Sequence, residues 1–102
     1  MCGIVGYIGD NEAKDIIIKG LKRLEYRGYD SSGISTFENQ SIVTTKCHGK
    51  ISNLEEKINN KIHYGNIGIG HTRWATHGKP NTINAHPHHD YLNKFSLIHN
   101  GI

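Results

Sequence analysis

Two short runs constrain this chain most, Cys2-Gly3-Ile4-Val5-Gly6-Tyr7-Ile8-Gly9 and Ile67-Gly68-Ile69-Gly70-His71-Thr72-Arg73. Both are β-branched and apolar, and both are punctuated by glycine. They read as buried strands in which another part of the chain approaches the backbone closely. Between them the periodicity changes. From Asn11 to about Glu25, Ile17, Leu21 and Leu24 fall at helical spacing, with Lys14, Lys19, Lys22 and Arg23 for the wet side. Asp10 or Asn11 is the expected N-cap. Gly20 weakens such a helix by roughly 1 kcal/mol relative to alanine, which fits tight packing on a sheet.

The remaining stretches complete an α+β order of β-α-β-β-α-β-loop-β. Tyr26 to Gly33 is a polar loop. Ile34–Phe37 and Ser41–Cys47 form a hairpin through Glu38-Asn39-Gln40. A second, shorter helix runs to about Asn59, with Ile51, Leu54 and Ile58 on one face. Irregular chain follows Arg73, and Phe95–His99 is a last strand.

The 102 residues suit one small domain, and an apolar share of 35% implies a modest core. A scattered net charge of +3, without a basic run, argues against a nucleic-acid partner. Two cysteines, Cys2 and Cys47, make no disulfide framework, and no secretory signal precedes them. No apolar run approaches the ~20 residues of a membrane helix. A soluble, cytoplasmic protein in a reducing compartment is expected.

Several residues carry chemistry. If Met1 is trimmed, Cys2 becomes the N-terminus and holds a thiol beside a free α-amine. With a pKa near ~7.7–8, that amine can accept the thiol proton. The alternative is a small apolar residue opening a strand. Cys47 reads as an inert structural thiol. Arg27, in the polar loop, either buttresses Cys2 or belongs to solvated surface. Arg73-Trp74-x-Thr76-His77 reads as a recognition loop, in which the planar arginine fork suits a carboxylate and tryptophan supplies a lid. Asn100-Gly101 is either a tight turn or an oxyanion hole made of the Asn100 amide and the Gly101 N–H. His71, His77, His86, His88 and His89 raise a zinc reading, with Asp90 as a carboxylate partner. No Cys-x-x-Cys accompanies them, so hydrogen-bonding histidines are the expectation, without a metal site.

Taken in order, Met1-Cys2-Gly3-Ile4-Val5-Gly6, Leu24 to Ser31, Gly70 to Gly78, Asn84 to His88 and His99-Asn100-Gly101 resemble the start of the class II glutamine amidotransferase domain. Tyr-Arg-Gly-Tyr-Asp-Ser is most similar to the aminotransferases that convert fructose 6-phosphate into glucosamine 6-phosphate. Amidophosphoribosyltransferases, glutamate synthases and asparagine synthetases share Cys2 but match that string less well. The resemblance implies the first part of an N-terminal-nucleophile hydrolase fold, an αββα sandwich, over residues 1–102. It implies L-glutamine as substrate and Cys2 as the nucleophile with its own amine as base. Asn100 and Gly101 would form the oxyanion hole. Arg73, Thr76 and His77 would bind the glutamine α-carboxylate, Trp74 would belong to a closing loop, and Arg27 would line the Cys2 environment. No cofactor is implied. Fructose 6-phosphate would bind only through sugar-isomerase domains outside this chain, in a homo-oligomeric full-length enzyme. On that comparison the chain would be a fragment unable to turn over alone. The rival reading is a small non-enzymatic module in which Cys2 is incidental.

Overall fold

The computed structural model describes residues 2–60, 63–75 and 78–101. A four-stranded antiparallel sheet in the order β1-β4-β2-β3 is formed by β1 (Gly3–Ile8), β2 (Ser31–Glu38), β3 (Ser41–His48) and β4 (Ile67–Arg73). Helices α1 (Ala13–Arg23) and α2 (Ile51–Ile58) cover one face. A two-residue ribbon, β5 (His88–His89) with β6 (Ser96–Leu97), forms a second, separate sheet. The mixed α and β composition with an antiparallel sheet is the architecture expected from the order of apolar runs.

The glycines set how closely the first layer packs. In β4, a Cβ on Gly70 would strike Ile17 of α1, and one on Gly68 would lie 2.7 Å from the same side chain. In α1, a Cβ on Gly20 would lie 2.9 Å from Val5 of β1. Ile17 and Leu21 are wholly buried in this seam, joined by Ile34 from β2 and by Ile51, Leu54 and Ile58 from α2. The periodic apolar residues of both helices are therefore the ones that enter the core, except Leu24, which caps α1 and packs over Gly3. One imidazole is buried here without cost to hydrogen bonding. His63 is held at 2.8 Å by Thr36 Oγ1 on one ring nitrogen and by Thr45 Oγ1 on the other.

Four expectations need correction. Neither Asp10 nor Asn11 caps α1. Glu12 stands at the N-cap without a side-chain bond, and the Ala13 N–H donates to the Gly65 carbonyl at 2.8 Å. The polar loop is shorter than its composition suggests. Glu25–Arg27 is a 3-10 turn, and Ser31-Ser32-Gly33 belong to β2, where pairing with both β3 and β4 satisfies their backbone. The hairpin turn is two residues long, Asn39 and Gln40, both at positive φ (49° and 63°), as the twist of a two-residue hairpin requires. The last strand shrinks to Ser96–Leu97. It leaves the main sheet because a turn built on Asp90, whose Oδ1 accepts the Lys94 and Phe95 N–H groups, folds it back on β5.

Alternation places Ile4, Ile8, Ile67 and Phe37 on the face opposite the helices, where each is exposed. Part of that face is covered. The His86 carbonyl lies where a Gly33 side chain would be, and Ser96 Oγ is 2.8 Å from Ser35 Oγ.

Because the α1 seam has no spare volume, Ile17→Ala should cost about 2–5 kcal/mol, and Gly70→Val about 1–3 kcal/mol through overpacking. Urea unfolding of each variant against the parent chain measures both. A Gly70→Val chain as stable as the parent would contradict the seam.

Candidate active site

Strand register builds the site. Gly3 pairs with Thr72, so Cys2 emerges beside Arg73 and Trp74 at the end of β4. Ser31 pairs with Arg73, which brings Asp30 alongside the same segment from β2. The residue after the cysteine has to be small. A Cβ on Gly3 would lie 2.6 Å from Leu24 and 2.9 Å from Thr72 Oγ1.

The half-buried Cys2 thiol lies against the Trp74 backbone. Trp74 N–H donates to Sγ at 3.4 Å, and the Trp74 carbonyl is 3.8 Å from the same sulfur. The Trp74 ring is half exposed and rests on the Gly28 backbone, which turns at φ +85°. Arg27 ends the 3-10 turn just before that glycine. From the far end of the chain, Asn100 Nδ2 donates to the Cys2 carbonyl at 3.3 Å. His71 Nε2 lies 2.8 Å from Asn100 Oδ1. Gly101 is adjacent and exposed. Of the residues singled out in the sequence, Cys2, Trp74 and Asn100 thus meet at one place.

Arg73 has a different neighbourhood from a free recognition fork. It is 8% exposed, and its Nη1 donates to the Lys79 carbonyl at 2.8 Å. Asn84 Nδ2 donates to the same oxygen at 3.0 Å, so the guanidinium underpins the 78–84 segment. Thr76 and His77 lie outside the described residues. Cys47 is half-buried against the core, with Sγ 3.3 Å from the His48 carbonyl.

Composition gave no hint of how Asp30 acts. Its carboxylate accepts the Ala75 N–H through Oδ2 and the Ser31 hydroxyl through Oδ1 at 3.1 Å. Its own N–H donates to the Arg73 carbonyl, and its carbonyl accepts from Gly49 N–H, each at 2.7 Å. One residue therefore clamps the segment that carries Trp74. The available signal was its place one residue after Tyr29 and four before the β-branched run at Ile34. Only the pairing of Ser31 with Arg73 shows what it faces.

The loop histidines pack ring against ring at tilted angles. The rings of His71 and His86 are 4.3 Å apart, and those of His86 and His88 are 4.4 Å apart. Among the described residues no three His, Cys, Asp or Glu side chains converge as metal ligands. Burial, then the neighbouring His71, His88, Arg73 and Lys46, lowers the His86 pKa to about 4. Burial also lowers those of His71 and His88.

Comparison with known proteins places this geometry. Over all 102 residues the chain is 58% identical to a glutamine–fructose-6-phosphate aminotransferase (isomerizing) of Clostridium tetani. It is 60% identical to one of Pyrococcus horikoshii over the same length. By sequence it is similar to the N-terminal part of those aminotransferases. The chain spans 17% of the length of these curated relatives. No protein-family model matches it. Among solved structures, a glutamine phosphoribosylpyrophosphate amidotransferase from B. subtilis, complexed with ADP and GMP, superposes with a TM-score of 0.72. That match has 26% identity and covers 91% of this chain and 20% of the other. The fold is that of the N-terminal-nucleophile amidotransferases, as the motifs implied, and the family is one of enzymes. No described helix is long and apolar enough to cross a membrane.

Two outcomes follow from these contacts. Asp30→Ala removes a charged acceptor from a backbone clamp and should cost about 1.5–3 kcal/mol. Trp74, the single tryptophan, should shift its emission to the red in the same variant, and an unchanged spectrum would refute the clamp. The folded His86 pKa lies below its ordinary 6.5, so the unfolded chain binds the proton more readily. Its contribution to stability is complete above pH 6.5 and is lost as pH falls toward 4. Urea midpoints across that range should fall with pH, and less steeply in His86→Gln.

Proposed function

We propose that this chain carries the glutamine-hydrolysing site of a glutamine–fructose-6-phosphate aminotransferase, with Cys2 as nucleophile once Met1 is removed. The observation that carries the reading is the convergence, from opposite ends of the sequence, of the Cys2 thiol, the Trp74 backbone and the Asn100 amide.

The chemistry needs no metal or organic cofactor. The α-amine of Cys2 takes the thiol proton, and sulfur attacks the carbon of the glutamine side-chain amide. As the S–C bond forms, the carbonyl π pair moves onto oxygen. Asn100 Nδ2–H and the Gly101 N–H are assigned as the donors that receive that charge. Collapse of the tetrahedral species breaks the C–N bond, and the proton on the α-ammonium leaves with ammonia. Water then adds to the γ-glutamyl thioester while the same amine takes its proton. Expulsion of the reprotonated thiol yields glutamate.

Arg73 is assigned to the glutamine α-carboxylate with Thr76 and His77, Trp74 to the segment covering the substrate, and Arg27 to the surroundings of Cys2. Residues 1–102 would then form part of a glutaminase domain. In the whole protein, ammonia would pass to a fructose 6-phosphate site outside this stretch, within a homo-oligomer. A reducing cytoplasm suits the two free thiols, Cys2 and Cys47.

Treatment with a diazo-ketone analogue of glutamine, followed by intact-mass and peptide mapping, tests the reading. Loss of Met1 and one adduct on Cys2, with Cys47 unmodified, is expected. Retained Met1, or labelling shared with Cys47, contradicts it. In the active protein Asn100→Ala should lower kcat by about 10²–10³-fold, the usual loss for one oxyanion donor.

A further inference from the structure

Asn100 lies in an exposed stretch without regular secondary structure, where a carboxamide can present its oxygen or its nitrogen to either side. Two neighbours decide which. Nδ2 faces the Cys2 carbonyl, which can only accept, at 3.3 Å. Turned over, the amide would set oxygen against oxygen. Oδ1 is therefore directed at His71, 2.8 Å away, and His71 has to donate from Nε2. In a neutral imidazole the other nitrogen is then a bare acceptor. His71 Nδ1 is buried and lacks a hydrogen-bond partner among the described residues. An orphaned acceptor there is less costly than an orphaned N–H.

The ring is also held rigidly. His71 is fully buried in β4 between β1 and β2, where it pairs with Ile4 and Gly33, and its ring packs at a tilt against that of His86 at 4.3 Å. The His86 backbone is seated on the sheet at Gly33. Burial, aided by Arg73 and His88, lowers the His71 pKa even though hydrogen bonds to Asn100 and the His99 backbone act the other way. The neutral form is thus the one that meets Asn100.

We propose that His71 is a positioning residue for glutamine hydrolysis. By donating from Nε2 to the Asn100 oxygen it fixes the amide, so that one amide hydrogen is held by the Cys2 carbonyl and the other faces the incoming substrate oxygen. The inference rests on the reading of Cys2 as nucleophile. It adds that orientation of the oxyanion donor is enforced from inside the sheet, by a group that never touches substrate.

Nitrogen-15 NMR of the His71 ring in the parent protein tests the bond directly and without turnover. An Nε2–H tautomer is expected, and an Nδ1–H tautomer would overturn the proposal. Kinetics of two variants test the role. His71→Gln places an amide nitrogen near the Nε2 position, whereas His71→Asn places one near Nδ1. For glutamine hydrolysis, His71→Gln should stay within about tenfold of the parent kcat, while His71→Asn should fall by about 10²-fold, with KM changing less than about threefold in both. Equal losses in the two variants, or a loss carried by KM, would overturn it. Failure of the Cys2 reading would show separately, as absent Cys2 labelling in the parent protein, and the NMR result stands independently of it.

Discussion

The antiparallel pairing of β1 with β4 is the constraint on which the rest depends. Gly3 opposite Thr72 sets Cys2 beside the end of β4, and every later feature of the site is referred to that point. The pairing is possible because β4 carries glycine at 68 and 70, where Ile17 of α1 presses directly on the backbone. A side chain at either position would lift the helix from the sheet. The core thus bears on the site geometrically, through close packing, as interiors at crystal-like density do. What matters is less the free energy of burying Ile17 than the distance at which it holds α1.

From that pairing the site is assembled by backbone contacts more than by charged side chains. Trp74 offers its N–H to the sulfur, Asp30 holds the Arg73–Ala75 segment by two backbone groups and Asn100 reaches the Cys2 carbonyl. Such contacts are short-ranged and directional, which suits the proposed reaction, whose barrier depends on where one oxygen comes to rest. The histidine cluster behind Asn100 belongs to the same design. Its rings are kept neutral by burial, so they can serve as fixed hydrogen-bonding and packing groups near neutral pH.

Much of this was legible in the sequence, for identifiable reasons. The helices declared themselves because Ile17 and Leu21, and Ile51, Leu54 and Ile58, repeat at helical spacing. All of them are buried. Cys2, Trp74 and Asn100 stood out because their motifs are specific. What stayed hidden depends on partners distant in sequence. Asp30 looked like one more polar loop residue until Ser31 was found opposite Arg73. The cap of α1 was misjudged, and the acceptor for Ala13 is the Gly65 carbonyl, which no local pattern near residue 13 could reveal. His71 was read with the other loop histidines, and only the end of the chain shows that it meets Asn100 beside Cys2.

The most direct measurement is a crystal structure of the protein acylated at Cys2 by a glutamine-like electrophile. The adduct's carbonyl oxygen should lie within hydrogen-bonding distance of Asn100 Nδ2, with Asn100 Oδ1 still on His71 Nε2. An adduct whose oxygen points away from Asn100, or a site in which Asn100 has left His71, would contradict the account.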